Sequence, residues 1–421
     1  MLARLRSVLG SPLGRNIFYL YLAQGANYLF PLLLLPYLSR ILKPEGFGVF
    51  AAGQAFGVAL IYLLEYGFSL VATREVARHR DDAYTLGAIF GGVFGVRLVL
   101  FFPALILAFV AYLVLPVFRG YPEVLLSAVF YFWSASLSPG WFYRGLEKMR
   151  DAALLDLVAR FLAFWWILLL VKGPEHSYLP LVLNGLATLA SSLFGSAMLY
   201  FKLPSLTFSW DNTWRFLLLG VRLLPFATVQ AAYTTANPII LGLFVSPREL
   251  GVFSGAERLV RPLSGLLEPL SRAFFSRLVH VALLSEKEAH RLFLKVLFAM
   301  GTFSFGTVLL LELTAPYLVH LFLGPAYAES IPLLRIMAPA LFIGSISHAL
   351  GALWGLAWGM EGLLNRVSLF TVFLQLVLTT FLGATHGVLG AAWGVVLVSL
   401  LECAALIIGL LKRGKFPLGG Y

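Results

Sequence analysis

The amino-acid sequence predicts an all-α polytopic membrane protein, with twelve transmembrane helices in two six-helix bundles related by a pseudo-two-fold axis along the membrane normal. Composition is the first reason: hydrophobic residues make up 60% of the 421 and charged residues only 12%, about half of the ~25% usual in soluble domains. Apolar runs matching the ~20 helical residues that cross a bilayer recur from one end of the chain to the other. Arginine and lysine then fall mainly on one side when those runs are threaded alternately inward and outward.

Taken in order, Met1 to Arg15 carries Arg4, Arg6 and Arg15 and reads as a short amphipathic lead-in to a retained helix rather than a cleaved signal. The first span, roughly Ile17 to Tyr37, is followed by Arg40 and Lys43 outside. The second, Phe47 to Val71, is followed by Arg74, Arg78 and Arg80 inside. Leu86 to Val114 and Val124 to Arg144 flank Arg119 outside and end on Arg144, Lys148 and Arg150 inside. Ala152 to Val171 and Tyr178 to Phe201 flank Lys172 and end at Lys202.

The second six spans run Phe216 to Phe244, Leu250 to Phe275, Leu294 to Val319, Ile331 to Met360, Leu363 to Leu382 and Val388 to Leu411. Twenty of the arginines and lysines lie in the inner segments and six in the outer ones. One helix more or fewer would scramble this bias, so both termini are expected inside. The expected domains are residues 1–202 as the N-terminal bundle, 203–215 as an inner linker with Pro204, Ser205, Thr207 and Ser209, and 216–421 as the C-terminal bundle.

The halves echo one another. Lys43-Pro44-Glu45-Gly46-Phe47-Gly48-Val49-Phe50 aligns with Ser246-Pro247-Arg248-Glu249-Leu250-Gly251-Val252-Phe253, with Pro, Gly, Val and Phe identical at matched places. Phe118-Arg119-Gly120-Tyr121 is echoed in Phe322-Leu323-Gly324-Pro325-Ala326-Tyr327. An even number of helices per half preserves orientation, which is why the axis should run along the normal, with a cavity between the bundles. Pro44 and Pro247 suit the first position of a helix, and Pro139-Gly140 suits a kink near the inner end of the fourth span.

Several function classes are excluded. The net charge of +11 is spread singly between apolar spans and no nucleic-acid-binding module is present, so nucleic acid is not the partner. Cys403 stands alone, and His320 and His386 lack metal-ligand spacing. There is no phosphate-binding Gly-rich loop ending in Lys-Ser or Lys-Thr, and no Ser/His/Asp set that shares a surface. Neither an enzyme, a metal nor a cofactor is expected.

Charges inside the spans carry the functional reading, because each is costly in lipid unless it faces a cavity or a partner. Arg97, Arg160, Arg222, Arg258 and Arg261 are the candidates for a cationic cavity, since a guanidinium presents five donors to a diphosphate or carboxylate. Their alternative role is to neutralise Glu65, Glu257 and Glu268 and hold helices together. Glu257 precedes Arg261 by four residues, a spacing that permits an ion pair along the helix. Gln24 and Asn27 in the first span, and Gln230 and Asn237 in the seventh, lie near Pro31, Pro36 and Pro238. Polar groups beside bends suit ligand contact or gating, against the alternative of ordinary interhelical hydrogen bonds. Gly351, Gly355 and Gly359, with Trp354 and Trp358, fit close helix packing.

Four segments carry a resemblance. They are Leu35-Pro36-Tyr37-Leu38-Ser39-Arg40-Ile41-Leu42-Lys43-Pro44-Glu45-Gly46-Phe47-Gly48-Val49-Phe50, Tyr66-Gly67-Phe68-Ser69-Leu70-Val71-Ala72-Thr73-Arg74-Glu75-Val76-Ala77, and Pro139-Gly140-Trp141-Phe142-Tyr143-Arg144-Gly145-Leu146-Glu147-Lys148-Met149. The fourth is Phe322-Leu323-Gly324-Pro325-Ala326-Tyr327 followed by Leu333-Leu334-Arg335-Ile336. Together they resemble the O-antigen and polysaccharide repeat-unit flippases of the multidrug/oligosaccharidyl-lipid/polysaccharide exporter superfamily. The segments span most of the chain in family order. Lys43-Pro44 departs from the usual Gly-Pro turn, and the length leaves no room for the two further helices of the lipid II flippase branch.

The resemblance implies transport of an oligosaccharide on undecaprenyl diphosphate from the inner to the outer leaflet of the bacterial inner membrane, by alternating access, for O-antigen, capsule or exopolysaccharide synthesis. Partners then expected are that polyprenyl-diphosphate-linked glycan, membrane lipid, a glycan polymerase or chain-length complex, and a proton or sodium counter-ion, with a monomer as the working unit. Glu65, Glu257 and Glu268 are the candidates for ion coupling. One rival is a cation-coupled drug antiporter of the same architecture, which calls for a cavity richer in acid. The other is a nontransporting scaffold of a glycan-synthesis complex, which would tolerate substitution of Arg97, Arg258 and Arg261.

Overall fold

A computed structural model of the chain describes residues 12–201, 203, 207–265 and 268–417, and every regular element among them is helical. In hydrocarbon no water pairs with backbone N–H and C=O groups, so a spanning chain pairs them within its own helices. Seven described helices are long and apolar enough to cross a membrane. The two longest of all are each two helices meeting at a break. One is α1 (Pro12–Leu60), interrupted where Lys43 takes φ 57. The other, Glu361–Leu411, is interrupted where Gly387 takes φ 59, a left-handed conformation that glycine adopts without steric cost. Those breaks fall where the first and second spans, and the eleventh and twelfth, were expected to meet. Pro44 and Pro247 each begin a helix, as the repeat predicts.

Contacts divide the chain into two compact units, Met1–Thr235 and Ala236–Tyr421. In the first, α1 runs through a π-turn (Ile61–Glu65) into α2 (Tyr66–Arg78), followed by α3 (Ala83–Val114) and α4 (Pro116–Gly120). Next come α5 (Pro122–Ser136), α6 (Gly140–Gly145), α7 (Met149–Leu170) and α8 (Leu179–Tyr200). The kink expected at Pro139-Gly140 is present, since Leu137 to Pro139 separate α5 from α6. α8 packs on α5 and α7, and α1 on α5 and α7. Trp141, Phe142, Tyr143, Phe132 and Phe118 are sealed inside.

The seventh span is not one rod. α9 (Trp210–Val221) ends at a turn over Arg222 and Leu223 before α10 (Leu224–Leu241) begins. Pro225 supplies no N–H to continue the ladder from α9. α9 packs on α2 and α3 of the first unit, and the unit boundary falls within α10.

The second unit continues with α11 (Pro247–Ser264), α12 (Glu268–Leu284), α13 (Glu286–Phe322), a short turn at Pro325–Tyr327, α14 (Ser330–Met337) and α15 (Pro339–His348). A π-helix (Ala349–Gly355) precedes α16 (Glu361–Leu411). α11 opens on a reciprocal cap: Ser246 Oγ accepts from Glu249 N at 3.3 Å, and Glu249 Oε2 from Ser246 N at 2.9 Å. α13 starts about two turns before the expected ninth span, so part of the polar stretch expected to be a loop is helical. Ser285 caps it by accepting from Glu288 N, and acidic Glu286 and Glu288 sit in its first turn, where the helix dipole favours them. Phe293, Met300, Leu350, Trp354, Leu406 and Leu410 build its core. Large apolar side chains on the outside, such as Phe102, Phe298 and Leu313, would be costly in water and are at home in lipid.

Candidate functional site

The second unit holds a polar cluster centred on one carboxamide. Asn237, on α10 and buried, donates through Nδ2 to Oε1 of Glu257 on α11 at 3.1 Å. Its Oδ1 accepts from Gln375 Nε2 at 3.2 Å and from Thr379 Oγ1 at 3.1 Å, both on α16. Three helices are thereby joined through one carboxamide. Asn237 and Glu257 are candidates from the sequence, and the structure brings them together. Gln375 and Thr379 were missed, although two polar residues four apart on one face of an apolar run are a readable signal.

Arg258 and Arg261 follow Glu257 on α11. Arg258 is half-buried and interacts electrostatically with Glu257, Arg261 and Tyr327, whereas Arg261 is exposed on its unit. Tyr327, in the turn after α13, is fully buried. Burial pushes its phenol well above the ordinary tyrosine range, and Arg258 pulls the other way. Tyr327 is therefore neutral at ordinary pH.

In the first unit, Arg97 on α3 is 4% exposed. Its Nη2 donates to Ser138 O at 3.1 Å, and its guanidinium carbon lies 5.7 Å from the centroid of the Trp141 ring. The break between α5 and α6 exposes the Ser138 carbonyl to this contact. Arg160 on α7 lies within electrostatic reach of Tyr131 and Asp156, and Asp156 also faces Arg144. Asp156 was not a candidate from the sequence. Arg222 is exposed in the turn between α9 and α10. The side chains of Gln24, Asn27, Glu65, Gln230 and Glu268 lie outside the described residues.

A further cluster was missed. Glu75, near the end of α2, has a side chain only 6% exposed and lies against three arginines. Arg78 Nη1 donates to its Oε1 at 3.0 Å, Arg215 Nη2 on α9 donates to its Oε2 at 3.3 Å, and Arg74 Nε lies 3.9 Å from Oε1. Beside it, Thr73 Oγ1 donates to Trp141 O at 3.1 Å, and Arg80 Nε to Gly145 O at 3.1 Å. Two of the four signature segments thus pack on each other. An apolar cavity of about 220 Å³ between α2, α3 and the α9–α10 turn is lined by Leu63, Phe68, Leu100, Pro103, Gly220 and Leu224, among others. It offers hydrocarbon contact and no charged side chain.

Residues 13–281 match the family described as polysaccharide biosynthesis protein. The chain is 28% identical to "Putative O-antigen transporter" of Escherichia coli (strain K12), over 95% of each chain. It is 27% identical to the protein of the same name from Shigella dysenteriae, over 95% of this chain and 100% of that one. Among solved structures, an inward-facing multidrug resistance MATE family transporter of the MOP superfamily superposes with a TM-score of 0.63 at 17% identity, covering 96% of this chain and 100% of that one. The lipid II flippase MurJ, in an inward closed conformation, gives 0.62 at 13% identity, over 93% of this chain and 88% of that one. At such identities these two likenesses establish a common fold.

Proposed function

Because this chain belongs to the family of polysaccharide biosynthesis proteins, we propose that it is a flippase carrying polyprenyl-diphosphate-linked oligosaccharide repeat units from the inner to the outer leaflet of the bacterial inner membrane. It is a multi-pass membrane transporter and not an enzyme. The observation that carries the substrate reading is α11, where Glu257, Arg258 and Arg261 stand within little more than one turn of one helix.

A diphosphate entering a low-dielectric layer loses water whose effective worth is several kcal/mol per ion. Fixed guanidinium donors replace that water, and bidentate geometry suits phosphate oxygens. Arg258 and Arg261, with Arg97, Arg160 and Arg222, are the residues we assign to this work. The polyprenyl tail stays in lipid, and the two bundles alternate between inner and outer access. A MATE-type fold supports alternating access as the route without choosing the cargo. The similarity to O-antigen transporters over nearly the whole chain favours a lipid-linked glycan over a drug.

For ion coupling we assign Glu257. Asn237 donates to it, and Gln375 and Thr379 stand behind Asn237 as donors to its Oδ1, so the amide can exchange partners when a proton or a sodium ion arrives. The working unit is a monomer, and a glycan polymerase or chain-length complex receives the product. The test is flux of a lipid-linked oligosaccharide in proteoliposomes, with proton and sodium gradients collapsed one at a time. Arg261→Glu should abolish flux, and surface-glycan export in cells, at normal protein level. Undiminished export by that variant removes the arginine from the mechanism, and tolerance of substitution at Arg97, Arg258 and Arg261 together would favour a scaffold.

A further inference from the structure

We propose that the end of α2 holds a receptor for the phosphate of an anionic membrane lipid, built from Arg74, Arg78 and Arg215 around the buried carboxylate of Glu75. The proposal concerns the lipid around the protein and stands apart from the identity of the cargo.

The geometry supplies both anchoring and unused capacity. Glu75 is sealed while the arginine side chains are 56%, 60% and 60% exposed. Arg78 and Arg215 each spend one donor on a separate carboxylate oxygen. A guanidinium has five donors, and the side chains that carry the remainder are more than half exposed. One anion among three cations leaves two positive charges on a small area. The carboxylate also holds the heads in place from below, which lowers the ordering cost of binding an anion. Two of the arginines come from α2 and the third from α9, a residue far along the chain that converges on the same acid.

The depth of the cluster points to lipid. On α9, Trp210 is 57% exposed, Trp214 52% and Leu218 65%, with Phe208 just before the helix 51% exposed. The helix combines these with Asp211 and Arg215, and tryptophans on such amphipathic helices settle at headgroup level. Arg215 follows Trp214 directly, so the guanidiniums stand where phospholipid phosphates lie. Arginine forks grip two phosphate oxygens at once. A bulk anionic phospholipid of that leaflet, always present against the helix, is the occupant we assign.

The test uses the full chain in nanodiscs of mixed phosphatidylglycerol and phosphatidylcholine, with retained lipid read by native mass spectrometry. The wild-type protein should retain phosphatidylglycerol preferentially. Arg74→Gln keeps both hydrogen bonds to Glu75, so the fold is not at stake, and it should weaken phosphatidylglycerol retention about fivefold. Arg78→Gln should do the same, while Arg248→Gln, at an exposed pair elsewhere, should change nothing. Equal retention of both lipids, or an Arg74→Gln protein indistinguishable from wild type, overturns the proposal. A polyprenyl diphosphate that displaces phosphatidylglycerol at tenfold lower concentration, through the same arginines, assigns the site to transported lipid and also overturns it.

Discussion

Asn237 holds Glu257 across two helices: its Nδ2 donates to Oε1 at 3.1 Å while its Oδ1 accepts from Gln375 and Thr379. Truncation to Asn237→Ala would strand a carboxylate oxygen and two donors inside the unit. Each stranded group costs about 1–3 kcal/mol, so the thermal midpoint of the purified protein should fall clearly. Glu257→Gln retains an acceptor oxygen for Asn237 and should keep that midpoint near wild type. Flux by Glu257→Gln should no longer respond to the coupling gradient. If flux keeps its full gradient dependence, Glu257 is a structural partner of Asn237 only.

Arg97 is a second case in which stability and transport must be separated. Its contact to the Ser138 carbonyl and the Trp141 face pins α3 to the break between α5 and α6. A hydrogen bond from a charged group contributes about 1.5–3 kcal/mol, and Arg97→Gln should lose most of that in thermal unfolding. Arg97→Lys restores charge without the planar fork and should recover only part of it. If export falls in proportion to folded protein, Arg97 positions the α5–α6 break. A loss of export at normal folded level would put Arg97 in contact with cargo.

Much of the fold was legible because a bilayer imposes one length scale, and greasy runs of that length are visible in the sequence. Pro44, Pro247 and Pro139 marked helix starts and a kink correctly, since proline acts on its own backbone. The candidate site was legible only along single helices. Glu257, Arg258 and Arg261 announce themselves as neighbours on α11, but Asn237's partners on α16 lie far away in sequence. Arg97's acceptor is a backbone carbonyl, which no residue type announces. Glu75 reads as one more charge in a basic inner loop, and its burial depends on α9 folding back over α2. The early start of α13 was hidden because the charged stretch before Leu294 looks like a loop until Ser285 is recognised as its cap.

Gly145 is the residue that lets α6 and α2 touch. A Cβ there would lie 2.6 Å from Val76 Cβ and 2.9 Å from Thr73 O, closer than packed atoms tolerate. Gly145→Ala should cost about 1–3 kcal/mol through forced displacement, seen as a lower midpoint and reduced membrane yield. Adding Val76→Ala removes the Cγ1 contact, also at 2.6 Å, while the Cβ and Thr73 O contacts remain, so it should return only a small part of the loss. A fully additive double variant would mean that the two residues are not coupled.

Asp82 caps α3 and gives the cleanest acid-side prediction. The Thr85 hydroxyl, then the Thr85 backbone N–H, hold its carboxyl below the ordinary aspartate range, with Tyr84 N also donating at 3.1 Å. A folded pKa below the unfolded one means that the cap contributes fully above the unfolded value, and is lost as pH falls through the folded one. Protection of the Tyr84 and Thr85 amides from hydrogen exchange, corrected for intrinsic rates, should therefore hold at neutral pH and decline below roughly pH 4. In Asp82→Ala the protection should be low at every pH, and a decline that persists in that variant would point to another acid.

Sidedness follows from the arginines and lysines between the spans, and one cysteine makes it testable. Cys403 is the sole cysteine of the chain, so Cys403→Ala provides a background without thiols. Single cysteines at Lys172, Arg248, Lys287 and Arg413 all replace exposed side chains. Positive-inside threading puts the first two outside and the last two inside. An impermeant maleimide added to sealed right-side-out membrane vesicles should label positions 172 and 248 and spare 287 and 413 until the vesicles are opened. Labelling of 172 but not 248 would mean that an odd number of crossings separates them, and the two halves would then be inverted rather than parallel. That result would remove the geometric basis for two bundles that open together toward one side, because inverted halves place their matching cationic positions at opposite depths.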